Sequence, residues 1–173
     1  MLSDISNINN HYDLIYITTA VILVDLIVIL IAKKTNKLGK QINVWYDKFG
    51  MTAVLLDVTI IIIGLIITRY IFSIYNLKFS PEYFIIISLI VQLIHDMLLY
   101  KLIIEPTPKG VNKIIDVYKD YAAENGSKIL LADSAMVFGS GLIAMYLKNQ
   151  KFETTTTILV TSLYIIPYLI YQK

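Results

Sequence analysis

The chain contains no cysteine, which excludes a disulfide framework, a thiolate metal site and a thiol nucleophile. Charge is also scarce: 16% of the 173 residues are Asp, Glu, Lys or Arg, and the formal net charge is +2. So weak a basic excess excludes an electrostatic grip on nucleic acid, and none is expected as a partner. There is one tryptophan, one arginine (Arg69) and four prolines. No internal repeat, low-complexity tract or separate soluble domain is visible. The opening stretch "MLSDISNINNHYD" has no lysine or arginine ahead of the first apolar run. It therefore lacks the basic start of a cleavable signal peptide, and the first apolar helix is expected to act as its own insertion signal.

What fills the chain is hydrocarbon. Hydrophobic residues make up 57% of it, and the mean hydropathy is +0.67. Five apolar runs approach or exceed the roughly 18–20 residues that cross a bilayer core of about 30 Å. They cover 14–32, 51–75, 83–104, 129–147 and 154–171. In lipid each segment must satisfy its own backbone, so these runs are expected to be helices despite their Ile and Val content. The expected fold is all-α: one integral membrane domain over 1–173, a bundle of five spans with the lipid bilayer as its constant partner. The fifth run opens on "TTTT" and contains Pro167, which should kink it or mark its fraying end.

Lysine placement gives an orientation. The first loop carries Lys33, Lys34, Lys37, Lys40 and Lys48, and the third connection Lys101, Lys109, Lys113, Lys119 and Lys128. The second loop has Lys78 alone and the fourth Lys148 and Lys151. Basic loops stay in the cytoplasm, so the N-terminus is expected outside and the C-terminus inside. Trp45 and Tyr46, just before the second span, fit an interfacial aromatic belt. Within the third connection, Val111, Ile114, Ile115, Tyr118, Tyr121 and Ala122 recur at helical spacing. Thr107-Pro108 reads as the start and Asn125-Gly126 as the stop of an interfacial amphipathic helix over about 108–124. Such a helix covers the inner end of the bundle, or docks a soluble partner there.

Each of the first four spans carries one aspartate: Asp25, Asp57, Asp96 and Asp133. Each lies five to nine residues from a charged residue at the inner boundary, namely Lys33, Lys48, Glu105 or Lys128. At 1.5 Å per residue, all four sit about 8–14 Å in from that boundary. One lipid-facing aspartate costs about 2.5–3.5 kcal/mol, so the four are expected to face inward. Ser88, Gln92, Asp96 and Tyr100 share one helical face with His95 at its margin. Arg69 lies twelve residues beyond Asp57, about 18 Å along the axis, and belongs to the outer layer. Protonation, a bound cation or water must then make up for the shortage of countercharge.

The candidate ion- or proton-binding residues are therefore Asp25, Asp57, Asp96, Asp133 and His95, with Gln92, Tyr100 and Ser134 in support. His95 would titrate near neutral pH. His95 with several Asp could instead bind Mg²⁺, Mn²⁺ or Zn²⁺, although the ligands come from separate helices and no spacing motif names a metal. "FGSGL" (138–142) reads as a close helix contact, in preference to a Ser140–His95 nucleophile pair. The stripe Thr157, Thr161, Tyr164 and Tyr168 reads as packing.

The stretch from "HDMLLY" through "PKGVNKIIDVYKDYAAENGSKILLADSAM", His95 to Met136, resembles uncharacterised polytopic membrane proteins encoded by large DNA viruses. The resemblance implies a protein of viral or virus-modified membranes and supplies neither a mechanism nor catalytic residues. Three functions fit these observations. The first is a small cation or proton pathway, or a transporter-like carrier, using the aspartate layer. The second is a structural membrane protein, assembling with itself or a soluble partner, whose polar contacts hold the bundle together. The third is an intramembrane metal-dependent enzyme. No cofactor is implied.

Overall fold

In the computed structural model, which describes residues 2–172, every regular element among those residues is helical. The α-helices are α1 (Asp13–Lys34), α2 (Gln41–Phe49), α3 (Met51–Ile74), α4 (Pro81–Leu99), α5 (Lys113–Asn125), α6 (Lys128–Leu147) and α7 (Phe152–Ile170). Five of them, α1, α3, α4 with its π-helical extension Tyr100–Ile104, α6 and α7, are long and apolar enough to cross a membrane. They match the five expected spans. Local chemistry sets their ends. Ser80 accepts a hydrogen bond from the Tyr83 amide at 3.1 Å, and Pro81 takes the first helical position of α4, where its missing N–H costs nothing. The "TTTT" run lies inside α7, which continues past Pro167 to Ile170.

The spans form a ring: α3 and α6 each pack against both α1 and α4, while α7 packs against α1. Small residues set the spacing. A Cβ on Gly141 would collide with Cδ1 of Ile85 on α4, whereas one on Gly139 would rest 3.5 Å from Val24 on α1. Gly141→Ala should therefore force Ile85 off its rotamer, at a cost of about 0.5–1.5 kcal/mol that offsets the helix propensity alanine gains there. Gly139→Ala should be neutral or slightly stabilising. Thermal unfolding of the two purified variants checks the contrast.

Two regions differ from expectation. The first loop contains α2, with Ile42, Trp45, Tyr46 and Phe49 on its inner face. Trp45 and Tyr46 are buried and do not form a surface belt. A single glycine makes the corner into α3: Gly50 has φ +53°, and a Cβ there would collide with the Tyr171 hydroxyl. The helix of the third connection begins at Lys113, not at Pro108. Gly110 (φ +91°) breaks the chain direction, and the Asn112 side chain accepts from the Ile114 and Ile115 amides at 2.9 and 3.3 Å. Thr107 turns its hydroxyl back onto the Ile103 carbonyl at 2.6 Å. The stop at Asn125-Gly126 is as expected, with Gly126 at φ +54°.

α2 and α5 pack together across one end of the ring. The Trp45 and Tyr118 rings lie 4.8 Å apart. Glu124 of α5 accepts from the Lys40 and Gln41 amides at 2.9 and 2.8 Å, so a carboxylate from another helix caps α2. Those amides hold the Glu124 carboxyl below the ordinary glutamate range. The opposite end is closed by the N-terminal segment. Ile5 is fully buried there, and Arg69, Asp13 and Lys148 form a charge knot. Arg69 lies 3.7 Å from Asp13, and Lys148 2.8 Å from it. Arg69 thus belongs to the end remote from the aspartate layer.

Candidate functional site

A cavity of about 890 Å³ opens inside the ring beneath α2 and α5. Its polar wall is made by Asp57 on α3, Gln92, His95 and Asp96 on α4, and Asp133 on α6. α3 and α6 face each other across the ring with little direct packing, which is where the space arises. The remaining walls are largely Ile, Leu, Val, Met and aromatic side chains.

The carboxylates are held differently. Trp45 donates its indole N–H to Asp57 at 2.9 Å. Gln92 donates its amide to Oδ1 of Asp96 at 2.7 Å, and His95 Nδ1 lies 3.1 Å from the same oxygen. Oδ2 of Asp96 is buried without a hydrogen-bond partner among the described residues. Asp133 lines the cavity with no side-chain hydrogen bond among those residues. Asp25 stands apart. It is fully buried, does not line the cavity, and receives the Tyr46 hydroxyl at 3.2 Å. The aspartate layer therefore divides into three cavity carboxylates and one packed behind α2.

Phenols complete the site. Burial, then the charges of Asp25 and Asp57, push the Tyr46 phenol well above its usual range. Tyr118 is raised by burial and then by Asp57, Asp133 and Asp96 together, and Tyr121 is pushed up to about 12 by burial and then Asp133 and Asp57. These hydroxyls keep their protons at neutral pH, and that of Tyr46 donates to Asp25. Positive charge is scarce. Lys101 lines the cavity but its ammonium pairs with Glu105 at 2.9 Å. His95 is the other basic residue in the wall.

Tyr100 also lines the cavity, whereas Ser134 does not. Ser140 is buried outside the cavity wall, away from the face His95 lines. The α7 stripe of Thr157, Thr161, Tyr164 and Tyr168 points outward and is exposed, so its expected packing role is replaced by Thr155, Ser162, Ile166 and Ile170. Among the described residues, no three His, Asp or Glu side chains are grouped to hold a metal ion. Sequence reasoning missed the parts played by Trp45, Tyr46 and Tyr118. The signal was present: Ile42, Trp45, Tyr46 and Phe49 follow i, i+3, i+4, i+7 spacing. No family model matches the chain, and none of the curated proteins or solved structures compared with it does either.

Proposed function

We propose that this protein is an integral membrane protein that binds a cation, or hands on protons, at Asp57, Asp96 and Asp133. One observation carries the reading: carboxylates from three apolar helices line a single cavity in which Lys101 is paired with Glu105 and His95, beside Asp96, is the other basic group. Charges at that depth are costly unless they serve a site. Orientation follows from lysine: the connections holding α2 and α5 are the lysine-rich ones, which puts the cavity end and the C-terminus in the cytoplasm. Asp25 then acts behind the site, through Tyr46.

Purified protein in proteoliposomes should support cation- or pH-gradient-dependent flux. Asp96→Asn and Asp133→Asn should each reduce it at least tenfold while keeping native helix content. Unchanged flux in both variants would remove the proposal.

A second reading has its own observation. Trp45–Asp57 and Tyr46–Asp25 tie α2 to two spans, as pure structural pins would. On that reading the wild-type protein passes no ions, and the Asp→Asn variants lose stability alone.

A further inference from the structure

The cavity is far larger than a bare cation needs, and most of its wall is apolar. Resting on the cation-binding reading, we infer that its ligand is an amphiphilic ammonium: a positively charged amine joined to a hydrocarbon chain, entering sideways from the bilayer. Three features converge on that chemistry. First, about 890 Å³ falls in the range of small-molecule sites, with few polar groups among apolar walls. A hydrated inorganic ion would leave those walls unfilled, and the absence of a three-ligand group among the described residues disfavours a dehydrated metal.

Second, the polar wall suits an ammonium. Asp133 has no hydrogen-bond partner among the described residues, and Asp96 keeps a buried, unpartnered Oδ2. Beside them stand Trp45, whose ring is tilted 36° against that of Tyr118, and Tyr121. Carboxylates with aromatic faces are the combination that holds alkylated amines. Third, the cavity is open on its flanks. Ile27 and Ile31 of α1, Leu56 of α3 and Met97 of α4 line it and are themselves exposed. These helices are the ones apolar enough to lie in lipid, so the opening meets acyl chains. A chain can remain in the flank while its head reaches the carboxylates.

Trp45 is the single tryptophan and lies in the wall, so its emission reports occupancy directly. The full-length protein in nanodiscs of phosphatidylglycerol, which has no ammonium head, would be titrated with dodecylamine at pH 7. We expect a saturable change in Trp45 emission, absent with dodecanol. Asp133→Asn should weaken it at least tenfold with unchanged circular dichroism. If that variant fails to fold, Asp96→Asn serves in its place.

Phosphatidylethanolamine added to the discs separates the sources. A saturable response that competes with dodecylamine identifies a lipid headgroup, and silence identifies a free amine. Equal responses to dodecanol would overturn the inference, as would Asp133→Asn and Asp96→Asn variants that fold and bind as wild type. A response to tetramethylammonium or Na⁺ as strong as to dodecylamine would overturn the chain requirement and leave the cation reading standing. Silence to dodecylamine alongside gradient-driven flux also overturns this inference alone. Silence together with absent flux removes both.

Discussion

Arg69→Met is expected to lower stability by about 3 kcal/mol or more, at the lower end of the 3–5 kcal/mol typical of removing one partner from a buried ion pair. Arg69 is 1% exposed and Asp13 is fully buried. The guanidinium also donates to the Asn10 carbonyl at 2.8 Å and to that of Asn7. Methionine would fill much of the volume and leave those acceptors and Asp13 short of donors. Lys148 stays 2.8 Å from Asp13, and Asn10 donates to it at 3.1 Å, which is why the loss should not reach the upper end.

The double variant Arg69→Met/Asp13→Leu should recover a substantial part, because removing both partners avoids the unpaired buried charge. Denaturation of detergent-solubilised protein measures both effects. A loss under about 1 kcal/mol for Arg69→Met, the scale of an exposed pair, would show that solvent reaches the knot. The test also bears on topology. The knot fastens residues 2–12 onto the end of the ring opposite the cavity, so its loss should leave Trp45 emission unchanged.

The spans were legible because their signal is long: an apolar run of some twenty residues has few alternative fates. That the aspartates share one level along the helices was legible for a similar reason, since rise per residue turns sequence separation into distance, and Asp57, Asp96 and Asp133 do line one cavity. Azimuth was not. Val24 lines the cavity whereas Asp25, one residue on, does not. Successive helical residues differ by about 100° around the axis, and the rotation of α1 is set by its packing on α3, α6 and α7. No run within α1 encodes that choice.

The roof was hidden for another reason. Lys40 is a poor helix start by sequence, and its cap is Glu124, 84 residues away. Trp45 and Tyr46 invite a membrane-belt reading because their polar edges are common at interfaces. Their partners, Asp57 and Asp25, show that the edges point inward. The start of α5 failed at a finer scale. Thr107-Pro108 has the right residue types, but Gly110 and the Asn112 cap place the first turn five residues later.

Tyr46→Phe is expected to destabilise the protein by about 1–3 kcal/mol, the cost of leaving a buried acceptor without its donor. The substitution removes one oxygen and nothing else, so packing against the core is retained. Asp25 then loses its single hydrogen-bond donor among the described residues, because Oδ2 is already without one. The group is fully buried and cannot turn to water. Asp25→Leu in the Tyr46→Phe background should restore most of the loss, since donor and acceptor leave together. The consequence should extend to the cavity. α2 is fastened to α1 by Tyr46 and to α3 by Trp45. Releasing the first contact should loosen the roof and shift Trp45 emission to longer wavelength. Chemical denaturation gives the energy and Trp45 emission gives the roof. Unchanged values in both would mean that Asp25 has another source of protons and that α2 does not depend on this contact for its place over the carboxylates.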